Sequence, residues 1–116
     1  WWSMPGQLKG WIDRVFTNGW AYDELPDGRL VKKLGRLRVH LVAIGGADLR
    51  TYARHGYLGA MRTQIDHGIF GYCGARVITT DLLLPSDAGA PASHLDTARA
   101  IGGRLFATAQ QGVDAA

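Results

Sequence analysis

In this 116-residue chain, chemistry could be done at three places. Gly45 and Gly46 follow directly on a branched, apolar run from Leu37 to Ile44. Such a glycine pair lets a ligand approach bare backbone amides, and it equally serves a plain turn. Tyr52 and Tyr57 come within two helical turns of the pair; each can donate a hydrogen bond, stack on a flat ligand or pack at a helix start. Trp1, Trp2, Ser3 and Met4 form the second place, directly ahead of a helix. The third is the stretch from Pro85 to Ala92, after a second apolar run. All three fall at the carboxyl ends of strands, where open α/β sheets bind their ligands.

Other chemistries lack their residues. No pair among His40, His55, His67 and His94 has metal-ligand spacing. The chain carries no nucleophile elbow, no Ser-His-Asp arrangement, no Walker-type loop and no GxGxxG. His40, inside an apolar strand, reads as a satisfied core or edge histidine. Cys73, between Tyr72 and Gly74, reads as a buried small hydrophobe.

The elements that must hold these residues show in the hydrophobic pattern. Leu8, Trp11, Ile12, Val15 and Phe16 recur at the spacing of one helical face and predict a helix from Pro5 to Thr17. Ser3 is placed to cap it and Asn18-Gly19 to end it, with Lys9, Asp13 and Arg14 on its wet side. Pro26-Asp27-Gly28 signals a turn, inside either a short hairpin or an irregular excursion. Leu37 to Ile44 and Ala75 to Pro85 read as strands covered on both faces, as in a parallel sheet. Leu58, Met61, Ile65 and Ile69 mark a second helix closed by Gly71. Ser93 is placed to cap a third, with Asp96 three residues on and a stripe of Leu95, Ala98, Ile101, Leu105 and Ala109. The tail after Gln111 is expected to fray.

The order helix, strand, helix, strand, helix predicts an α/β fold with parallel strands and helices on both faces. Two such strands need neighbours along their edges. Together with the absence of an initiating methionine, this reads as the C-terminal portion of a larger doubly wound domain. Hydrophobic residues make up 47% and charged residues 20%, ordinary for a globular protein. The net charge of +3 comes from 13 basic and 10 acidic residues without runs of one sign, which argues against a nucleic-acid face. A single cysteine excludes an internal disulfide and suits a reducing, cytoplasmic compartment. No apolar run reaches the ~18 residues of a membrane span.

The opening stretch WWSMPGQLKGWIDRVFTNGWAY carries a resemblance. Its spaced matches, W-x-x-x-P-x-x-L-K-G-W-I-D-R-V-F and then G-x-A-Y, resemble the signature region of the flavodoxin-like NAD(P)H:quinone oxidoreductases. That group includes quinone reductases, bacterial modulators of drug activity and the ancillary oxidoreductases of potassium-efflux systems. The likeness continues through LVAIGG, the spacing from Tyr52 to Gly56 and the Tyr72-Cys73-Gly74 stretch, and so spans essentially the whole chain. It implies a five-stranded parallel sheet, of which the first strands, helices and phosphate-gripping loop would precede Trp1. It implies a bound flavin, FMN or FAD, with NAD(P)H as co-substrate and a quinone as acceptor, in a two-electron ping-pong reaction.

Residue by residue, the resemblance implies that Trp1, Trp2 and Ser3 lie against the flavin ring and that Gly45 and Gly46 approach its polar edge. Tyr52 matches a tyrosine that stabilises charge during hydride transfer. Tyr22 matches an aromatic lining the substrate pocket of the neighbouring subunit in a homodimer, and Tyr57 joins that aromatic lip. Trp11 would be core, anchoring the helix behind Trp1 and Trp2. Ala43-Ile44 departs from the threonines often found before the glycines, and Leu58 stands where some members carry a histidine; His55, one turn nearer, is the substitute within reach. An alternative within the family is a flavin-binding ancillary subunit that associates peripherally with a potassium-efflux transporter. A pure electron carrier is a third reading, and the Tyr22 segment argues against it.

Overall fold

Leu37 to Ile44 and Ala75 to Pro85 do form strands, and they pair with each other. The structure, a computed structural model, describes the backbone of residues 1–110 and the side chains of residues 1–105. The elements in order are α1 (Gly6–Val15), β1 (Tyr22–Glu24), β2 (Leu30–Lys32), β3 (Arg38–Ile44), α2 (Leu49–His55), α3 (Tyr57–Met61), a π-helix (Arg62–Gly71), β4 (Arg76–Leu83) and α4 (Ala92–Gln110). The expectations for Ala109 and for the tail after Gln111 lie outside the described residues.

β3 and β4 run parallel, from Arg38 opposite Arg76 to Ile44 opposite Leu83, with an irregularity between Val39 and His40. The crossover between them is helical, as a parallel pair requires. The helices of the crossover cover one face of this sheet. Leu41, Ala43 and Leu82 pack there with the buried residues Tyr52, Met61, Ile65 and Leu84. On β3 the alternate residues Val42 and Ile44 are exposed, Ile44 at 84%. That face of β3 is left uncovered among the described residues, the face for which the expectation of a larger domain calls on further elements. His40 is satisfied, its Nδ1 lying 3.0 Å from Thr79 Oγ1.

The turn signal at Pro26-Asp27-Gly28 resolves as a hairpin. β1 and β2 pair antiparallel, Tyr22 opposite Lys32. Gly28 takes φ +80, and Asp27 accepts from Arg29 Nε at 2.6 Å and from the Arg29 N–H at 3.1 Å. The hairpin docks through Leu34, 1% exposed, whose N–H donates to Cys73 O at 2.9 Å. Ala21, Leu34, Cys73 and Ala75 form a second core cluster, joined by Phe16, Tyr22, Leu37, Val39 and Phe70. Cys73 is free and 3% exposed, and burial raises its thiol above the usual value while Lys32 opposes the shift.

Three boundary expectations need correction. α1 begins after Pro5 with no side-chain cap; the Ser3 hydroxyl instead donates to Gln64 Oε1 at 2.6 Å, tying the chain start to the π-helix. α1 ends at Val15, with Phe16 as its C-cap, rather than at Asn18-Gly19. Ser93 lies inside α4, and its hydroxyl is buried without a partner among the described residues. Trp11 is not core either: it is 54% exposed, its ring edge-on to Phe16 at 6.0 Å. The five-residue stripe is wider than the line along which α1 docks. Ile12, 4% exposed, carries that contact, a burial of about 1.5–3 kcal/mol for one aliphatic side chain. Lys9 and Asp13 pair at 2.7 Å on the outer face, adding only about 0.3–0.5 kcal/mol at such exposure.

The crossover is longer than the stripe of Leu58, Met61, Ile65 and Ile69 predicts. It starts at Leu49, bends at Gly56 with φ +69, and widens into a π-helix from Arg62 to Gly71. Among the described residues no helix is long and apolar enough to cross a membrane.

Candidate functional site

Gly45 is the first residue past β3, and two things crowd it. Its N–H donates to Leu83 O at 2.9 Å, extending the parallel ladder by one bond. A Cβ at this position would run into the Tyr52 hydroxyl and sit 2.7 Å from Leu84 Cδ2. The amide expected to be bare is therefore used, and the glycine is required by the protein's own side chains. Gly46 is the open residue: nothing lies within 4 Å of a Cβ there, and its N–H has no partner among the described residues. The glycine pair thus divides its work, Gly45 admitting Tyr52 and Gly46 presenting a donor.

α2 delivers Tyr52. Asp48 caps it, accepting from the Thr51 N–H at 2.8 Å and the Thr51 hydroxyl at 2.7 Å. Those hydrogen bonds, the hydroxyl first, hold the Asp48 carboxyl below its ordinary value. Asp48-x-x-Thr51 before Gly56 was the available sequence signal for this helix: a cap acceptor, one short helix, then a left-handed C-cap. Tyr52 is 5% exposed, and its hydroxyl, over Gly45, has no hydrogen-bond partner among the described residues. The side chain is buried while the hydroxyl oxygen keeps access to solvent, so the phenol presents a fixed donor to a ligand at this edge.

Three further rings stand beside it. Trp2 stacks on Tyr57 at 4.0 Å and 14° and meets Tyr52 edge-on at 5.4 Å. His55 stacks on the other partner, Tyr57, at 5.1 Å. Trp2 is the one non-glycine residue among those described with a positive φ, +58. That backbone state costs about 1–2 kcal/mol, and a stacked aromatic pair returns about 0.5–1.5 kcal/mol. The strained tryptophan is therefore held by its ring contacts, and it stays 37% exposed at the carboxyl end of β3. Trp1 is fully exposed.

The structure thus brings together Trp2, Gly45, Gly46, Tyr52 and Tyr57, while the Ser3 hydroxyl is turned to Gln64 on the π-helix. It does not bring Tyr22 to them. Tyr22 packs in the other core cluster, edge-on to Tyr72 at 5.5 Å, and lines a separate groove of about 200 Å³ with Ile12, Asp13, Phe16 and Cys73. Tyr72 and Leu84 are the residues at these places that sequence reasoning missed. Tyr72 follows a glycine with no periodic signal, and Leu84 is one leucine of a run of three.

A family model described as a flavodoxin-like fold matches residues 1–101. The human ribosyldihydronicotinamide dehydrogenase (quinone) is 34% identical over 88 residues, which are 71% of this chain and 36% of that protein. An uncharacterized NAD(P)H oxidoreductase of Haemophilus influenzae is 29% identical over 83 residues, 71% of this chain and 41% of its own. The NAD(P)H dehydrogenase (quinone) 1 of Cavia porcellus is 29% identical over 84 residues, 71% and 30% respectively. The chain spans about a third of the length of these curated relatives. No solved structure is significantly similar. The parallel β3–β4 pair with its helical crossover, the glycine turn beyond β3 and the match over residues 1–101 agree: the chain belongs to the flavodoxin-like fold family, alongside proteins named as NAD(P)H and quinone oxidoreductases.

Proposed function

We propose that the protein is a flavin-dependent NAD(P)H:quinone oxidoreductase, and that the residues beyond β3 form the side of its site against which the flavin ring, FMN or FAD, is held. The observation that carries this is the Tyr52 hydroxyl, carried on a buried ring, without a partner among the described residues and held over Gly45 beside the Trp2–Tyr57 stack. The residues present fit a flat, mostly apolar ring with one polar edge. Trp2 and Tyr57 supply an aromatic platform, Gly46 an N–H donor without a partner among the described residues, and Tyr52 a second donor. A bound flavin supplies the hydride chemistry. The chain's residues orient the ring, exclude water from its face, and stabilise negative charge at the polar edge through preorganised donors that need no rearrangement.

NAD(P)H and the quinone would take turns on the same face, the ping-pong scheme. The relatives named as quinone dehydrogenases and NAD(P)H oxidoreductases support the substrate classes. A homodimer is part of the reading. Tyr22 shares no ring contact with Tyr52, Tyr57 or Trp2, so a role for it in substrate binding needs the neighbouring subunit's site. The lone buried cysteine agrees with a cytoplasmic setting.

The test is Tyr52→Phe in the full-length protein, with flavin reduction by NAD(P)H followed by stopped flow. Losing one stabilising donor is expected to slow reduction by roughly ten- to a thousandfold while flavin stays bound. An unchanged rate would leave Tyr52 a packing residue and remove the main support for the proposal.

A further inference from the structure

The stretch from Pro85 to Ala92 stands at the carboxyl end of β4, and its polar contacts converge on one residue. Leu84, 1% exposed, packs in the cluster of Tyr52 and crowds Gly45 from the side opposite solvent. Both polar groups of its backbone are held by side chains from further along the chain. The Leu84 N–H donates to Asp87 Oδ2 at 2.8 Å. Leu84 O accepts from the Asp87 N–H at 3.1 Å and lies 3.0 Å from His94 Nε2. His94 Nε2 is also 3.1 Å from Asp87 Oδ2. Both groups facing Nε2 are acceptors, so that nitrogen carries the proton and donates to the two of them. His94 comes from the first turn of α4, so the contact fastens α4 to the strand end. The same loop reaches α2: Ser86 Oγ accepts from the Leu49 N–H at 3.2 Å, at the first residue of the helix that carries Tyr52.

We propose that Asp87 and His94 are positioning residues for Tyr52. They fix where Leu84 packs in the cluster of Tyr52, and through Ser86 the start of α2, so that the Tyr52 hydroxyl stays over Gly45. Neither side chain has a hydrogen bond to Trp2, Tyr57 or Gly46, so their effect on the reaction passes through Leu84 and α2, which hold Tyr52 and Gly45. The consequence for catalysis rests on the flavin reading above; the consequence for geometry does not.

Replace His94 by Leu, which keeps bulk and removes the donor, and by Gln, whose amide N–H can occupy the place of Nε2. Label the full-length protein with 3-fluorotyrosine and assign the Tyr52 signal by its loss in Tyr52→Phe. In the flavin-free protein, His94→Leu is expected to shift or broaden that signal, and His94→Gln to restore it. With flavin bound, His94→Leu is expected to lower kcat about tenfold, the scale of one misplaced electrostatic donor, with KM for NAD(P)H unchanged and with recovery in His94→Gln. Asp87→Asn, which keeps an acceptor for the Leu84 N–H and weakens the link to His94, should give the same pattern if His94→Leu does not fold. A Tyr52 signal that neither His94→Leu nor Asp87→Asn moves overturns the proposal. A signal that moves and recovers, in a protein whose wild type shows no NAD(P)H-driven flavin reduction, upholds the positioning and refutes the functional reading instead.

Discussion

Replacing Gly45 by Ala should destabilise the fold, and replacing Gly46 should not. The added methyl at residue 45 would collide with the Tyr52 hydroxyl, sit 2.7 Å from Leu84 Cδ2 and lie 3.2 Å from Tyr52 Cζ. Neither neighbour can retreat cheaply, since Tyr52 is 5% and Leu84 1% exposed, and the backbone of residue 45 is pinned by its bond to Leu83 O. Overpacking of this kind costs about 1–3 kcal/mol. At residue 46 a Cβ meets nothing within 4 Å, so the change should stay within about 0.5 kcal/mol. Urea unfolding of both variants in the full-length protein measures the difference. Gly45→Ala/Tyr52→Phe refines it: deleting the hydroxyl relieves the worst contact and leaves Leu84, so the double variant should recover part of the loss and not all. Equal stability of the two alanine variants would mean that Tyr52 and Leu84 do not press on this turn, and the account of the site would fall with it.

Three further outcomes can be checked directly. The carboxyl of Asp48 is lowered by its bonds to Thr51, so its contribution to α2 is present above the ordinary carboxylate value of 3.8 and is lost as pH falls through the lowered value. Hydrogen-exchange protection of α2 should follow that acid limb in the wild type and lose the pH dependence in Asp48→Asn, which keeps the cap acceptor. Cys73 should be alkylated at pH 8 at least about tenfold more slowly in the native protein than in urea, because burial raises its thiol; equal rates would mean that it is accessible. In a heterodimer of a Tyr22→Ala subunit with one unable to bind flavin, quinone reduction per bound flavin should exceed that of the Tyr22→Ala homodimer. Equal rates, or a monomeric mass, would refute a role in the partner's site.

The two strands of the sheet were legible because a branched apolar run before a glycine turn has few other physical meanings. What covers each face was not, since Val42 and Ile44 on one side of β3 look like Leu41 and Ala43 on the other. The positions of Tyr52 and Gly46 followed from their distance to the strand end. The crowding of Gly45 was not legible: sequence cannot distinguish a glycine beside open space from one pressed by a neighbouring side chain, and the contacts with Tyr52 and Leu84 appear only in the fold. Trp11 failed because periodicity marks a face without its width. The clasp of Asp87 and His94 carries no sequence pattern at all; it is a property of where a loop returns.

The π-helix has a consequence for how the two halves of the core communicate. Its turns close five residues apart, as in Tyr72 N–H to His67 O at 2.9 Å at its C-cap, and the turn that follows repeats the spacing with Ala75 N–H to Phe70 O at 2.9 Å. Gly68 and Gly71 make room for this: a Cβ would stand 3.2 Å from Thr63 O and 3.1 Å from Asp66 O, each a carbonyl five residues back. The inward positions accordingly run Met61, Ile65, Phe70 instead of continuing to Ile69, and Phe70 belongs to both clusters, with Tyr52 on one side and Phe16 and Tyr22 on the other. The wide turn acts as a vernier, setting one ring against two scales that an α-helical pitch would leave out of step. Deleting Gly68 would set Ile65 and Phe70 four residues apart and keep every apolar side chain, yet it would uncouple the glycine-turn end of the domain from the hairpin end.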